Sequence, residues 1–256
     1  MALADVIIII SRNGGAFLSR WLHVVVGITW IGLLYYFNFV QVPAFAEMEA
    51  AARNNAIDKL ASRALWWFRW AAVATLVTGI LILTFQEYGG KAELYSNDYM
   101  KTTGGIAIFT GILLALTMFL NVWLVIWPNQ KKVIANARNV QAGGEADPSA
   151  AAAGRKALLA SRMNAIYSFT MLFFMVGTAH FFGAGFKLAP SGSDRGIYWA
   201  IAVVIWGLLE LKALGVIGGT KPGGLNWIFD THRAALITGG LLVVVYYVLF
   251  YLVLKS

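Results

Sequence analysis

Residues Phe17–Val42 read FLSRWLHVVVGITWIGLLYYFNFVQV. This run decides the fold class. It is longer than the ~20 residues that cross a ~30 Å hydrocarbon core as a helix. Five further runs have the same character: Leu65–Phe85, Gly104–Trp127, Ala165–Phe186, Gly196–Val216 and Ala234–Leu254. The whole chain of 256 residues is 59% hydrophobic and 12% charged, with mean hydropathy +0.69. Soluble domains carry about 25% charged residues. These figures predict an all-α polytopic membrane helix bundle of about six transmembrane helices, forming a single domain over 1–256. The short apolar stretch Val6–Ile10 reads as an interfacial stub, since it is too short to span and lacks signal-peptide flanks.

A net charge of +8 would suggest nucleic-acid binding in a soluble protein; here it reads as the basic excess of membrane loops, and no nucleic-acid partner is expected. Of the 20 Lys and Arg residues, seven fall on the side of the termini and thirteen on the other. The positive-inside rule makes the second side cytoplasmic and both termini periplasmic. Two cytoplasmic segments read as helical hairpin extensions. Pro43–Ala64 is Ala-rich with early Glu and late Lys/Arg, and Asp147-Pro148 reads as a helix start before Ser149–Asn164. Gln141–Ala146 is the tip between them, and Gly218–Gly224 is a turn.

The chain has no Cys, which excludes disulfides, thiolate metal sites and thioether-bound haem. It has three histidines. His23 and His180 each lie six positions inside the ends of their spans, toward the periplasm, at similar depth. Ionisable groups inside a membrane are costly and mark function. Two imidazoles facing each other across a bundle suit a b-type haem, with Gly27, Trp30 and Gly177 beside them as cofactor-binding neighbours. A hydrogen-bonded pair, or a metal such as copper, is the other way to use them. His232 belongs to a second, cytoplasmic polar layer with Asn38, Gln41, Arg69, Asn121, Asn164 and Glu210. That layer reads as a substrate pocket or proton path, or as interfacial snorkelling. Arg69 is the expected partner of Glu210. The other polar aromatic residues sit near span ends as an aromatic belt.

The stretch Trp21–Glu49 (WLHVVVGITWIGLLYYFNFVQVPAFAEME), above all Trp21-Leu22-His23 followed by Gly27, Trp30, Ile31 and Gly32, resembles the membrane domain of the bacterial membrane-bound urate hydroxylase family. Ala64–Trp70 (ALWWFRW) and the His180 region are also similar. The shorter pattern His-x3-Gly-x2-Trp-x-Gly resembles the membrane protoporphyrinogen oxidase and copper-resistance D families. The urate resemblance implies an oxidoreductase of purine catabolism in the bacterial inner membrane. It would convert urate to 5-hydroxyisourate and pass electrons to a cytochrome c domain fused at the C-terminus. This sequence ends at Ser256 without such a domain, so a separate c-type cytochrome is the expected acceptor. On that reading His232, Glu210, Arg69 and Asn121 form the catalytic layer, converging on one cavity, and His23 and His180 hold haem b. The alternative is a non-catalytic accessory subunit of a respiratory or oxygenase complex. A solute transporter fits less well, because the polar residues form two outer layers and not a midplane site.

Overall fold

A computed structural model describes residues 11–93, 96–182, 186 and 189–255. The stub Val6–Ile10 lies outside them. Among the described residues the chain is all-α but for one small hairpin and an isolated bridge between Phe186 and Lys255, and six helices are long and apolar enough to cross a membrane: Arg12–Glu47, Ala50–Phe85, Thr103–Gln141, Ser149–His180, Gly192–Ala213 and His232–Leu254. They are called here the first to sixth spans, and together they describe a multi-pass membrane protein. Consecutive spans alternate in direction. One end of the bundle carries Ser11 and Leu254 (the terminal end); the other carries the turns at Met48–Glu49 and Ala142–Pro148 (the hairpin end).

The first three spans hold 36, 36 and 39 residues and the fourth 32. At 1.5 Å per residue these helices are about 48–58 Å long, well beyond the ~30 Å of hydrocarbon. The excess lies at the hairpin end, where the expected helical extensions form two antiparallel hairpins. They pack on each other: Arg138 pairs with Asp58, and the Gln141 amide donates to the Asn54 carbonyl at 3.0 Å. The fourth span begins at Ser149. Asp147, not proline, anchors it, accepting the Ser149 N–H at 2.8 Å and the Ser149 hydroxyl at 2.9 Å. The fifth and sixth spans, of 22 and 23 residues, are just long enough to cross.

Each of the first three spans contains one π-helical turn, at Tyr36–Gln41, Ile57–Ala61 and Asn121–Ile126. A π-turn inserts a residue into the α-repeat and occurs often at functional sites. The first and third of these turns carry Asn38, Gln41 and Asn121, all from the expected polar layer.

The fourth span is the axis of the bundle. Gly111 of the third span meets it so closely that an added Cβ would lie 2.8 Å from Met175 Cγ; at Gly239 of the sixth, a Cβ would lie 2.9 Å from the Phe169 ring. Small residues at such crossings let helices approach in the absence of a hydrophobic drive between them. The third and fifth spans are joined by polar rungs, Thr110–Tyr198 at 2.8 Å and Trp206 Nε1 to Thr117 at 2.9 Å. The fourth span ends at His180, earlier than the expected Phe186. The chain turns at Phe181, and Phe182 folds back to stack on Phe174 with ring centroids 5.1 Å apart. Between the second and third spans, Glu87–Tyr88 and Lys91–Ala92 form a two-stranded hairpin. Its Gly89-Gly90 turn has φ of 61° and 78°, the left-handed geometry that a two-residue loop needs.

Candidate functional site

Two regions hold the chemistry-bearing residues. The first lies toward the terminal end. His23 Nδ1 is 3.0 Å from the Thr75 carbonyl and 3.1 Å from Thr78 Oγ1. The carbonyl can only accept, and the Thr78 hydroxyl spends its own proton on the Ala74 carbonyl at 2.7 Å. Nδ1 is therefore the protonated nitrogen, and in the neutral ring Nε2 carries a lone pair with no hydrogen-bond partner among the described residues. The ring lies against Gly79, where a Cβ would come within 3.2 Å of Cε1. The second span thus holds the imidazole by its far nitrogen, as second-shell carbonyls hold metal-ligating histidines.

The first and fourth spans meet at a seam, bridged at the hairpin half by Asn38, whose amide donates to Ser161 Oγ at 2.8 Å, and by Tyr35 Oη with Ser168 Oγ at 2.9 Å. Steps of four from Ser168 lead through Leu172 and Val176 to His180, turning about 120° round the helix; Leu172 is 39% and Val176 60% exposed, and His180 is exposed as well. On the first span, a Cβ added to Gly27 would meet nothing within 4 Å. His23 and His180 each lie twelve positions from the Tyr35–Ser168 bridge, about 18 Å of helix on antiparallel elements. No hydrogen bond links the two histidines. Trp30 is 2% exposed in the core, with Nε1 unpartnered. The space beside Gly177 is taken by the Phe182 ring, 2.4 Å from where a Cβ would be.

For a b-type haem, the donor side fits: an imidazole with a free Nε2, its other nitrogen fixed, and an open glycine one turn away. His180 lies as many residues from the Tyr35–Ser168 bridge as His23 does. Among the described residues no group of three or more His, Cys, Asp or Glu side chains could hold a metal ion.

The second region is the polar layer at the hairpin half. Its centre is Asn121, on the third span's π-turn. Its amide donates to Asn164 Oδ1 at 3.0 Å and to Glu210 Oε2 at 3.4 Å; Asn164 in turn donates to the Met118 carbonyl at 2.9 Å. Tyr167, which the sequence reading missed, lies beside Glu210 and donates its hydroxyl proton to the Trp206 carbonyl at 3.0 Å. Glu210 accepts from Asn121. The expected pairing with Arg69 does not form. Arg69 turns instead to the far side of the same π-turn, its guanidinium carbon 3.3 Å from the Trp127 ring centroid and 5.9 Å from that of Trp123. Its Nε and Nη1 are buried and unpartnered, as is Trp123 Nε1.

His232 is the first residue of the sixth span, behind the Thr231 cap, and none of the hydrogen bonds of this layer reaches it. Beside it, Asp230 accepts from Arg155 at 2.8 Å and from the Gly223 N–H at 2.8 Å. Burial pushes the Asp230 carboxyl up, but these donors and the nearby Arg162 charge outweigh it and hold the group below its usual range. Arg162 is 2% exposed, and its Nε and Nη1 are also unpartnered. A separate cavity of about 180 Å³ opens between the first four spans, lined by Phe37, Gln41, Phe68, Gln130, Ala157 and Ser161 among others. None of His232, Glu210, Arg69 and Asn121 lines it.

No curated protein and no solved structure matches this chain. Residues 95–190, which take in the third and fourth spans and the hairpin between them and carry Asn121, Asn164, Tyr167 and His180 but not His23, match the family model described as urate oxidase N-terminal.

Proposed function

We propose that this protein is a membrane-integral oxidoreductase of the urate hydroxylase type. In that reaction urate loses two electrons, gains the hydroxyl of water at C5 and releases two protons. The family match supports the substrate class. The observation that carries the redox half is the His23 imidazole, fixed through Nδ1 with its Nε2 lone pair unused beside the open Gly27. A haem b would be held by His23, with His180 as a second candidate ligand, and would supply one-electron acceptance from the substrate side and donation to a separate c-type cytochrome.

The protein's own residues divide the remaining work. The unpartnered N–H groups of Arg69 and Trp123 favour an anionic, acceptor-rich substrate at the hairpin half. The Asn121–Glu210–Tyr167 cluster offers a carboxyl for proton transfer close to it. His232, outside this network, is better suited to the entrance. The charge bias of the loops supports a cytoplasmic hairpin end and periplasmic termini.

The test is an absorption spectrum of the purified chain, oxidised and dithionite-reduced, together with urate consumption in the presence of a soluble c-type cytochrome. A reduced-minus-oxidised haem difference spectrum and cytochrome reduction that depends on urate are expected. A featureless spectrum without urate consumption would leave the accessory-subunit reading in its place.

A further inference from the structure

We infer that Arg69 and Lys131 hold the phosphate headgroup of an anionic phospholipid, between the second and third spans at the hairpin-end face of the bilayer. This goes beyond the reading above and does not rest on it: it concerns the anion that the bilayer itself supplies to a charge which, on that reading, also favours an anionic substrate.

Depth is the first observation. Arg69 lies sixteen residues before Phe85, the terminal-end limit of the second span, about 24 Å of helix. Trp123 lies twenty residues after Thr103, the terminal-end limit of the third span, about 30 Å of helix. Both therefore stand near the far boundary of a ~30 Å hydrocarbon core, where headgroups begin. Side chains lean toward the N-terminus of their own helix. The two spans are antiparallel, so Arg69 leans out toward the headgroups while Lys131, about two turns beyond Trp123, leans back toward them. They meet at one ring. The Arg69 guanidinium carbon is 3.3 Å from the Trp127 ring centroid and Lys131 Nζ is 5.7 Å from it.

Charge is the second observation. Arg69 is 7% exposed, and a guanidinium keeps its proton in a protein. Among the described residues neither Arg69 nor Lys131 forms an ion pair. The hairpin-end carboxylates of Asp58 and Asp230 are taken by Lys59, Arg138 and Arg155. Arg162, also buried, has the Asp230 charge nearby. Arg69 has only the faces of Trp127 and Trp123, and a buried charge without a counter-ion is costly. Its Nε and Nη1 are enclosed by the protein and take no part in binding. Nη2 lies outside that enclosure and is the nitrogen that meets a phosphate oxygen, with the exposed Lys131 ammonium as the second cation.

The surroundings favour a lipid over a free anion. Trp66 and Trp70, each 48% exposed, continue the row of indoles outward: Trp70 and Trp123 are edge-on with centroids 5.8 Å apart, and Trp66 and Trp70 are 6.3 Å apart. Indoles at this depth lie against lipid. A free anion would use the two cations and leave these rings idle. A phospholipid sets its phosphate on the cations and its glycerol esters against the indoles, and basic pockets between transmembrane helices bind anionic headgroups in this way.

The experiment is equilibrium binding of dioleoylphosphatidylglycerol to the purified full-length chain in neutral detergent, with dioleoylphosphatidylcholine, inorganic phosphate and urate as competitors. Phosphatidylglycerol should bind about 10-fold more tightly than phosphatidylcholine. Arg69→Gln should weaken its binding about 10-fold. Lys131→Gln, at an exposed position, should weaken it about 5-fold, the contribution of one basic residue near a charged surface. Lys132→Gln is the control. It removes the same charge one position on, about 100° round the helix, and should cost no more than about 2-fold. Equal losses in Lys131→Gln and Lys132→Gln would show general attraction to a basic surface and overturn the site. Equal affinity for the two lipids would overturn it too, as would inorganic phosphate binding as tightly as phosphatidylglycerol. Lipid binding that urate displaces upholds the site and the anionic-substrate reading together. Lipid binding that urate leaves unchanged upholds the site and removes Arg69 from that reading.

Discussion

The seam between the first and fourth spans is closed in one half and open in the other, although both halves are built from equally apolar sequence. In the hairpin half, Asn38–Ser161 and Tyr35–Ser168 pull the helices together around buried Leu34 and Phe37. In the terminal half no side-chain hydrogen bond joins the two spans among the described residues, and Leu172 and Val176 of the fourth stay exposed. Lipid is as apolar as leucine, so burial gives no drive to close such a seam. Hydrogen bonds and small-residue contacts decide where helices touch, and their absence makes room for something else.

The most severe way to break this contrast is to remove the function assigned to the open half. His23→Ala should eliminate the haem absorption entirely. Gly27→Trp should do the same while leaving the imidazole in place, because the indole would fill the open space one turn from His23. An unchanged spectrum in His23→Ala would mean that no haem is held on this residue.

Glycine substitutions sharpen the contrast in stability. A methyl at Gly105 would lie 1.9 Å from the Tyr99 carbonyl oxygen, a backbone atom, so Gly105→Ala should cost about 3 kcal/mol or more. Gly27→Ala adds a methyl where nothing lies within 4 Å and should be neutral to within about 0.5 kcal/mol. Thermal unfolding in detergent measures both; a comparable loss for Gly27→Ala would show that the space beside Gly27 is filled.

Smaller effects come from the bridges. Asn38→Leu should cost about 1–2 kcal/mol and Tyr35→Phe about 0.6 kcal/mol, the range of interhelical hydrogen bonds in membranes. Both should raise hydrogen exchange in Leu34–Gln41. A double mutant that is additive would argue that the bridges act separately and do not close one seam.

The least effect, and one of opposite sign at the two ends, is expected from pH. Asp230 at the hairpin end has a folded pKa below its usual value, so its contribution is complete above that value and fades as pH falls through the folded pKa. Glu93 at the terminal end is raised, by burial first, against the opposing Arg20 charge and its bonds to Gln86 and Tyr99. Its ionisation costs stability above the usual carboxylate range, and that cost is relieved as pH falls through its folded pKa. Protection from hydrogen exchange should therefore rise around Glu93 as pH falls from about 7 to about 4, and should fall in Gly218–Asp230 only once the pH drops below the usual aspartate value of 3.8. Parallel changes would refute the assignment.

The spans and both hairpins were legible because length, apolar runs and loop charges follow directly from the thickness of a bilayer. The polar layer was legible as a set, since Asn38, Gln41, Asn121, Asn164 and Glu210 are conspicuous in apolar helices. Their pairing was not. A π-turn turns every later side chain by about 100° relative to an α-repeat and leaves no mark in hydropathy. That is why Arg69 was assigned to Glu210 when the Asn121–Ile126 turn sends Asn121 to one side and Trp123 to the other. Tyr167 was hidden by its type, one more aromatic in an aromatic-rich chain. The early end of the fourth span at His180 was masked by Phe181 and Phe182, which continue the apolar run while folding back on it.

The fourth span differs from the first three in lacking a π-turn: Ser149–His180 is one uninterrupted α-helix. Mechanically it is a rigid shaft of about 48 Å among three jointed ones. Torque applied to the Ala142–Pro148 tip would be absorbed in the first three spans at Tyr36–Gln41, Ile57–Ala61 and Asn121–Ile126. In the fourth it would be delivered along the whole shaft, and a tilt of a few degrees at Ser149 would displace His180 by several ångströms at the opposite face.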